Sequence, residues 1–286
     1  MKINLLAVAL VFILSRVARP DVPATAPADL PPAPKGFDVP RDDIEDGKTE
    51  TVEYDSKTVG AKRPLVIYTP PGYSKEKKYP ALYLLHGSGD DETGWQKKGS
   101  ADVILDNLYA DKKLEPMIVV MPNGFARKPS TESPPADKAA AKDRGRNNAF
   151  EDDLLHDIIP FVDAHYPTLA DPEHRAVAGL SMGAGQALRI GLKHLDTFAW
   201  IGGFSAGIRG TQPNLIPDPA AAGKQLRLLW LSCGDQDRLM EPNKALHASL
   251  EEQKISHIWH IDSGKHEWPV WKNDLYLFAP MLFRNK

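Results

Sequence analysis

The chain has 286 residues, 42% of them apolar, with a net charge of −3 at neutral pH and a pI near 6.3. That apolar share suffices for a sizeable core and excludes a disordered class, while the lack of a basic excess excludes binding driven by nucleic-acid phosphates or anionic lipid. A single cysteine, Cys233, excludes an intramolecular disulfide, and no CxxC or Cys/His cluster points to structural zinc.

Lys2 followed by the apolar run 5–14 reads as a signal peptide over residues 1–19. The run is shorter than the roughly 20 residues a membrane span needs, and no cysteine follows it for a lipid anchor. The expected location is therefore secreted or periplasmic, with no stable membrane anchor after cleavage. Residues 20–48, rich in Pro, Ala and Asp, read as an extended linker. A folded domain is expected over 49–286.

Within it, 51–54 and 65–68 read as an antiparallel opening pair. Residues 81–85 form an apolar strand that ends at His86-Gly87, and 101–111 carry apolar side chains at helical spacing. Strand 117–121 stops at Pro122-Asn123-Gly124. Residues 126–147 are charged and Pro/Ala-rich, a long insertion read as a flexible rim of the ligand side. Residues 150–166 form an amphipathic helix, 176–180 a strand, and 183–194 a helix. Strands 198–204, 226–232 and 258–261 follow, with helix 243–253 between the last two and helix 270–283 closing the chain. Strand–helix alternation with continuous apolar strands implies an α/β fold, a single domain with a mainly parallel sheet covered on both faces.

Gly179-Leu180-Ser181-Met182-Gly183 is a G-x-S-x-G sequence between a strand and a helix. That setting is what a nucleophile elbow requires: small residues let strand and helix approach while the serine is lifted onto a tight turn. Ser181 is the expected nucleophile. In the order serine, acid, histidine, the next strand exit carries Asp235 and Asp237, and the one after it carries His266. Asp237 is preferred over Asp235, which is tightly constrained at the strand end. His266 is preferred over His257 and His260, which lie in or beside a strand. Backbone N–H donors for an oxyanion are expected from Met182, which follows the nucleophile, and from Ser88, which follows His86-Gly87. Trp268, beside His266, is a candidate substrate-binding platform for a phenolic or sugar face, and Trp271 is read as core.

These segments resemble the esterase family of α/β hydrolases that includes bacterial feruloyl esterases and acetylxylan esterases, carbohydrate esterase family 1. The similar residues run from Arg63 to Lys272 and include Tyr83-Leu84-Leu85-His86-Gly87, Asn107-Leu108, Pro122-Asn123, Asp153-Leu154-Leu155, the Ser181 motif, Cys233-Gly234 with Asp237, and His266 with Val270-Trp271-Lys272. The resemblance implies the α/β-hydrolase fold, a Ser181–Asp237–His266 triad, and oxyanion donors at Ser88 and Met182. It also implies no cofactor and no metal. The expected activity is hydrolysis of feruloyl or acetyl esters of plant-wall polysaccharide through an acyl-enzyme. Acyl transfer, cleavage of a siderophore or other small conjugate, and a non-catalytic binding protein on the same fold are the alternatives.

Overall fold

A computed structural model describes residues 30–127, 149–208 and 215–284. Eight strands form one sheet in the order β1-β2-β4-β3-β5-β6-β7-β8. β1 (Lys48–Ser56) and β2 (Ala61–Thr69) make a hairpin longer than the sequence pattern predicts, and β2 runs antiparallel to both neighbours. β3 (Ala81–Leu85), β4 (Ile118–Pro122), β5 (Arg175–Leu180), β6 (Trp200–Phe204), β7 (Leu228–Gly234) and β8 (Ile258–Asp262) are mutually parallel. This is the α/β-hydrolase fold.

The central parallel strands are buried on both sides, which is why they read as unbroken apolar runs. Along β3 the side chains alternate: Tyr83 and Leu85 face one core with Leu154, Leu188 and Ile201, whereas Leu82 and Leu84 face the other with Trp95, Ile104 and Phe278. The helices follow in chain order. α1 (Gly94–Lys97) and α2 (Ala101–Ala110) precede β4. α3 (Phe150–Asp153) continues through a π-turn, Leu154–Ile158, into α4 (Ile159–His165). α5 (Met182–Lys193), α6 (Pro219–Gln225), α7 (Met240–Glu252) and α8 (Trp268–Phe278) complete the covering layers. The expected closing helix thus starts two residues early and hands over to a 3₁₀ turn at Ala279–Met281, where Pro280 removes an N–H from the ladder.

Two segmental expectations need comment. The described part of the expected linker, 30–47, has no buried residue and is mostly exposed, but it touches the domain at several points. Phe37 meets Tyr276 edge-on, Asn107 donates to the carbonyls of Phe37 and Val39, and Gly47 N–H donates to Asp106. It turns at 35–38 and again at 42–43, and sparse apolar and polar anchors dock it. The expected signal peptide, 1–19, and all but Ala126 and Arg127 of the expected insertion lie outside the described residues. Ala149 N–H donates to Ala126 O.

Candidate active site

β5 runs into α5 through Ser181, whose backbone (φ +52°, ψ −110°) lies in a region that non-glycine residues rarely occupy. Such a conformation costs about 1–3 kcal/mol and needs surrounding structure to hold it. Here Ser181 N–H donates to Phe204 O, and Ser181 O accepts from the N–H groups of Gly185 and Gly207. The flanking glycines are required by space. A Cβ on Gly179 would stand 2.7 Å from Leu85 O, and one on Gly183 would stand 2.6 Å from the same atom. Strand β3 passes too close for any side chain there.

The parallel strand order brings the exits of β7 and β8 to the same edge. His266 Nε2 lies 2.9 Å from Ser181 Oγ, and His266 Nδ1 lies 2.8 Å from Asp237 Oδ2. With Asp237 ionised, Nδ1 carries the ring proton and Nε2 is left to accept from the serine hydroxyl. Burial alone would raise the Asp237 carboxyl. Hydrogen bonds from His266 and the Leu239 N–H, with Ser205 beside it, outweigh burial and hold it below the usual carboxylate range. Ser205 itself accepts from the Trp271 indole N–H at 3.1 Å, which leaves its own proton free to face Asp237. Burial, and then the Asp237 charge, push the Cys233 thiol up to about 12, so it stays protonated.

The other candidate residues fall as follows. Asp235 Oδ1 accepts from Gly264 N–H and ties the β7 and β8 exits together. His260 lies beside Asp262, and His257 pairs with His247. It is Asp237 that bonds the His266 ring. Gly87 sits against the nucleophile, since a Cβ on it would stand 3.6 Å from Ser181 Cβ. That places the following Ser88 at the site, and Met182 opens α5 directly after Ser181. Trp268 is half-buried in an edge-to-face cluster, 5.3 Å from Trp95 and 5.4 Å from Trp271. Trp271 is buried, as the core reading expects, but its ring also abuts His266 at 4.9 Å.

Several supporting groups were not legible as such. Ser205, at φ +50° after β6, serves Asp237, and Asn243 ties Ala206 and Leu239 on either side of that carboxyl. Ser205 is a lone polar residue in an apolar stretch and Asn243 one polar residue among several on a helix; the burial and partner of each are set by long-range packing. Among the described residues no group of three or more His, Cys, Asp or Glu is arranged to hold a metal ion, and no helix is long and apolar enough to cross a membrane.

Comparison with known proteins identifies the family. The family model described as "Putative esterase" matches residues 56–279. An endo-1,4-beta-xylanase/feruloyl esterase from Xylanibacter ruminicola is 33% identical over 262 residues, which cover 90% of this chain and 34% of that protein. An endo-1,4-beta-xylanase Y from Acetivibrio thermocellus is 28% identical over 50% of this chain and 13% of its own length. This chain therefore spans a third or less of those two relatives. Among solved structures, the CE1 ferulic acid esterase of the anaerobic fungus Anaeromyces mucronatus superposes with a TM-score of 0.76 at 25% identity, covering 88% of this chain and 96% of that one.

Proposed function

This chain belongs to the esterase family just described, and from that premise we propose that it is an exported serine carboxylic-ester hydrolase that works through an acyl-enzyme. The observation that carries the reading is His266 bridging Ser181 Oγ and Asp237 Oδ2 at 2.9 and 2.8 Å. In this mechanism His266 Nε2 takes the Ser181 proton as the oxygen attacks the ester carbonyl. The N–H groups of Ser88 and Met182 receive the oxyanion. His266 then protonates the leaving alcohol, and water deacylates the serine by the same route in reverse roles. Asp237 holds the ring orientation and stabilises the imidazolium. The chemistry needs no metal or cofactor.

The substrate is an acyl ester, feruloyl or acetyl, on plant-wall polysaccharide. Supporting this are the half-buried Trp268 ring beside the catalytic loop, able to stack on a phenolic or sugar face, and the names of the xylanase-linked relative and the ferulic acid esterase structure. The basic residue and apolar run at 2–14 support export to the periplasm or cell exterior.

The test is hydrolysis of methyl ferulate, acetylated xylan and 4-nitrophenyl acetate by the wild-type protein and Ser181→Ala. Wild type should cleave at least one polysaccharide-type ester, and Ser181→Ala should lose on the order of 10⁶ of the rate. Equal inertness of both proteins on every ester would sink the proposal.

A further inference from the structure

The His86 ring is 1% exposed and neither of its nitrogens is idle. Nε2 lies 2.9 Å from Gly124 N, and Nδ1 lies 2.7 Å from Gly87 O. The Gly124 backbone N–H can only donate, so Nε2 must be the acceptor. The ring proton then sits on Nδ1 and is given to Gly87 O. One contact thus dictates the tautomer, and the tautomer dictates the other contact. Burial lowers the His86 pKa, consistent with a neutral ring.

The carbonyl held by Nδ1 belongs to the peptide that joins Gly87 to Ser88, and Asp90 N–H binds the same oxygen at 3.2 Å. No cis peptide occurs among the described residues. In a planar trans peptide the C=O and the N–H point in opposite directions. Fixing Gly87 O therefore fixes where the Ser88 N–H points, on the peptide that borders Ser181.

His86 in turn depends on the short segment after β4. Asn123 O and Phe125 O both accept from Arg63 Nη2, at 2.8 and 2.7 Å, and Gly124 O accepts from Gln186 Nε2 at 2.9 Å. Three successive carbonyls are thus held by side chains from β2 and α5. Arg63 Nη1 pairs with the buried Asp153, which also accepts from the hydroxyls of Tyr54 and Ser56. A guanidinium can span the two carbonyls and the carboxylate together because its donors are fixed in a planar fork; an ammonium cannot.

We propose that Arg63 and Gln186 are positioning residues that act through residues 123–125 and the His86 ring to aim the Ser88 N–H at the oxyanion. The proposal rests on the serine-esterase reading of the site. It adds a function for His86 and for an arginine on β2, which two strands separate from the strand leading to Ser181.

The experiment compares His86→Phe, His86→Gln and Arg63→Lys with wild type. His86→Phe keeps a ring of similar size without either nitrogen, His86→Gln retains one donor and one acceptor, and Arg63→Lys keeps the charge facing Asp153 but loses the fork. Steady-state hydrolysis of 4-nitrophenyl acetate gives kcat and KM, and inhibition by phenylboronic acid reports the tetrahedral state: Ser181 Oγ adds to boron, its proton passes to His266, and a boron hydroxyl takes the oxyanion position. Loss of an oxyanion donor costs about 10²–10³ in kcat. We expect His86→Phe to lower kcat about 100-fold with KM within about twofold, and to weaken the boronate by a similar factor. His86→Gln should recover part of both losses, and Arg63→Lys should show a smaller parallel loss of about tenfold. Thermal unfolding verifies that each variant is folded; if His86→Phe is not, the graded pair His86→Gln and Arg63→Lys decides alone. Wild-type kcat and boronate affinity in the folded variants overturns the proposal and leaves the esterase reading intact, as does a kcat loss with unchanged boronate affinity. A wild-type protein that neither hydrolyses esters nor binds the boronate overturns both.

Discussion

Asp237 and Asp274 are both withdrawn from water, at 5% and 0% exposure, and both lie against the C-terminal half of β7. Burial pushes each carboxyl in the same direction, toward the neutral form, yet the two end on opposite sides of the ordinary value. Asp237 meets the His266 ring, the Leu239 N–H and the Ser205 hydroxyl, and these donors hold it low. Asp274 has Ser232 and Asp262 beside it, but neither of its oxygens has a hydrogen-bond partner at bonding geometry. Burial first, and the Asp262 charge second, raise it well above the carboxylate range. The contrast teaches that depth does not decide ionisation in this core; the count of aimed donors does.

The comparison can be broken most severely at Asp237. Asp237→Asn leaves the shape of the pocket but lets the side chain donate to His266 and favour the wrong tautomer. Triads lose on the order of 10⁴ in kcat from such a change, and we expect that loss with little change in KM. A loss under tenfold in steady-state kinetics would mean that the Asp237 charge is not what orients His266. Ser205→Ala removes one of the neighbours that keep Asp237 ionised. A hydrogen bond to a charged group is worth about 1.5–3 kcal/mol, so kcat should fall about tenfold. The acidic limb of the pH–rate profile should also move upward as the Asp237 carboxyl loses support. An unmoved acidic limb would place the Ser205 hydroxyl elsewhere.

Asp274→Asn should sharpen the contrast with the smallest effect on activity, within about twofold. Its effect is on stability, and the sign follows from proton binding. The folded state keeps the Asp274 proton at pH values where the unfolded chain, with a pKa near 3.9, has released it. Wild-type stability from this group therefore declines as pH rises above that value, by up to about 1.4 kcal/mol per unit, until the folded carboxyl itself ionises. Denaturant melts across pH 4–8 should show Asp274→Asn gaining on wild type as pH increases. A constant difference across that range would show that Asp274 is ionised in the folded protein.

The elbow around Ser181 was readable because its demands are local. A strand, a turn with φ above zero and a helix start within a few residues leave a mark on adjacent positions, and Gly179 and Gly183 are small because β3 lies against them. The order of strand exits also put Asp237 and His266 in candidate positions, with Asp235 left as a local rival that only the register of β7 and β8 distinguishes. Where the reading was incomplete, the cause is nonlocal. The π-turn at Leu154–Ile158 fits a helix pattern equally well, and the docking of residues 30–47 depends on partners such as Asn107 and Tyr276 that lie far along the chain.

By itself, then, the sequence determined the alternation of strands and helices, the parallel sheet and the serine at its elbow, because periodicity and steric demand act between near neighbours. The tertiary structure alone decided which polar side chains support the site from a distance. Arg63 reaching Asn123 and Phe125, Gln186 reaching Gly124, and Trp271 reaching Ser205 are contacts between residues 60 or more positions apart. Such pairs leave no spacing in the chain; they exist because a close-packed sheet brings its strand ends to one edge, where an unpaired buried donor is costly.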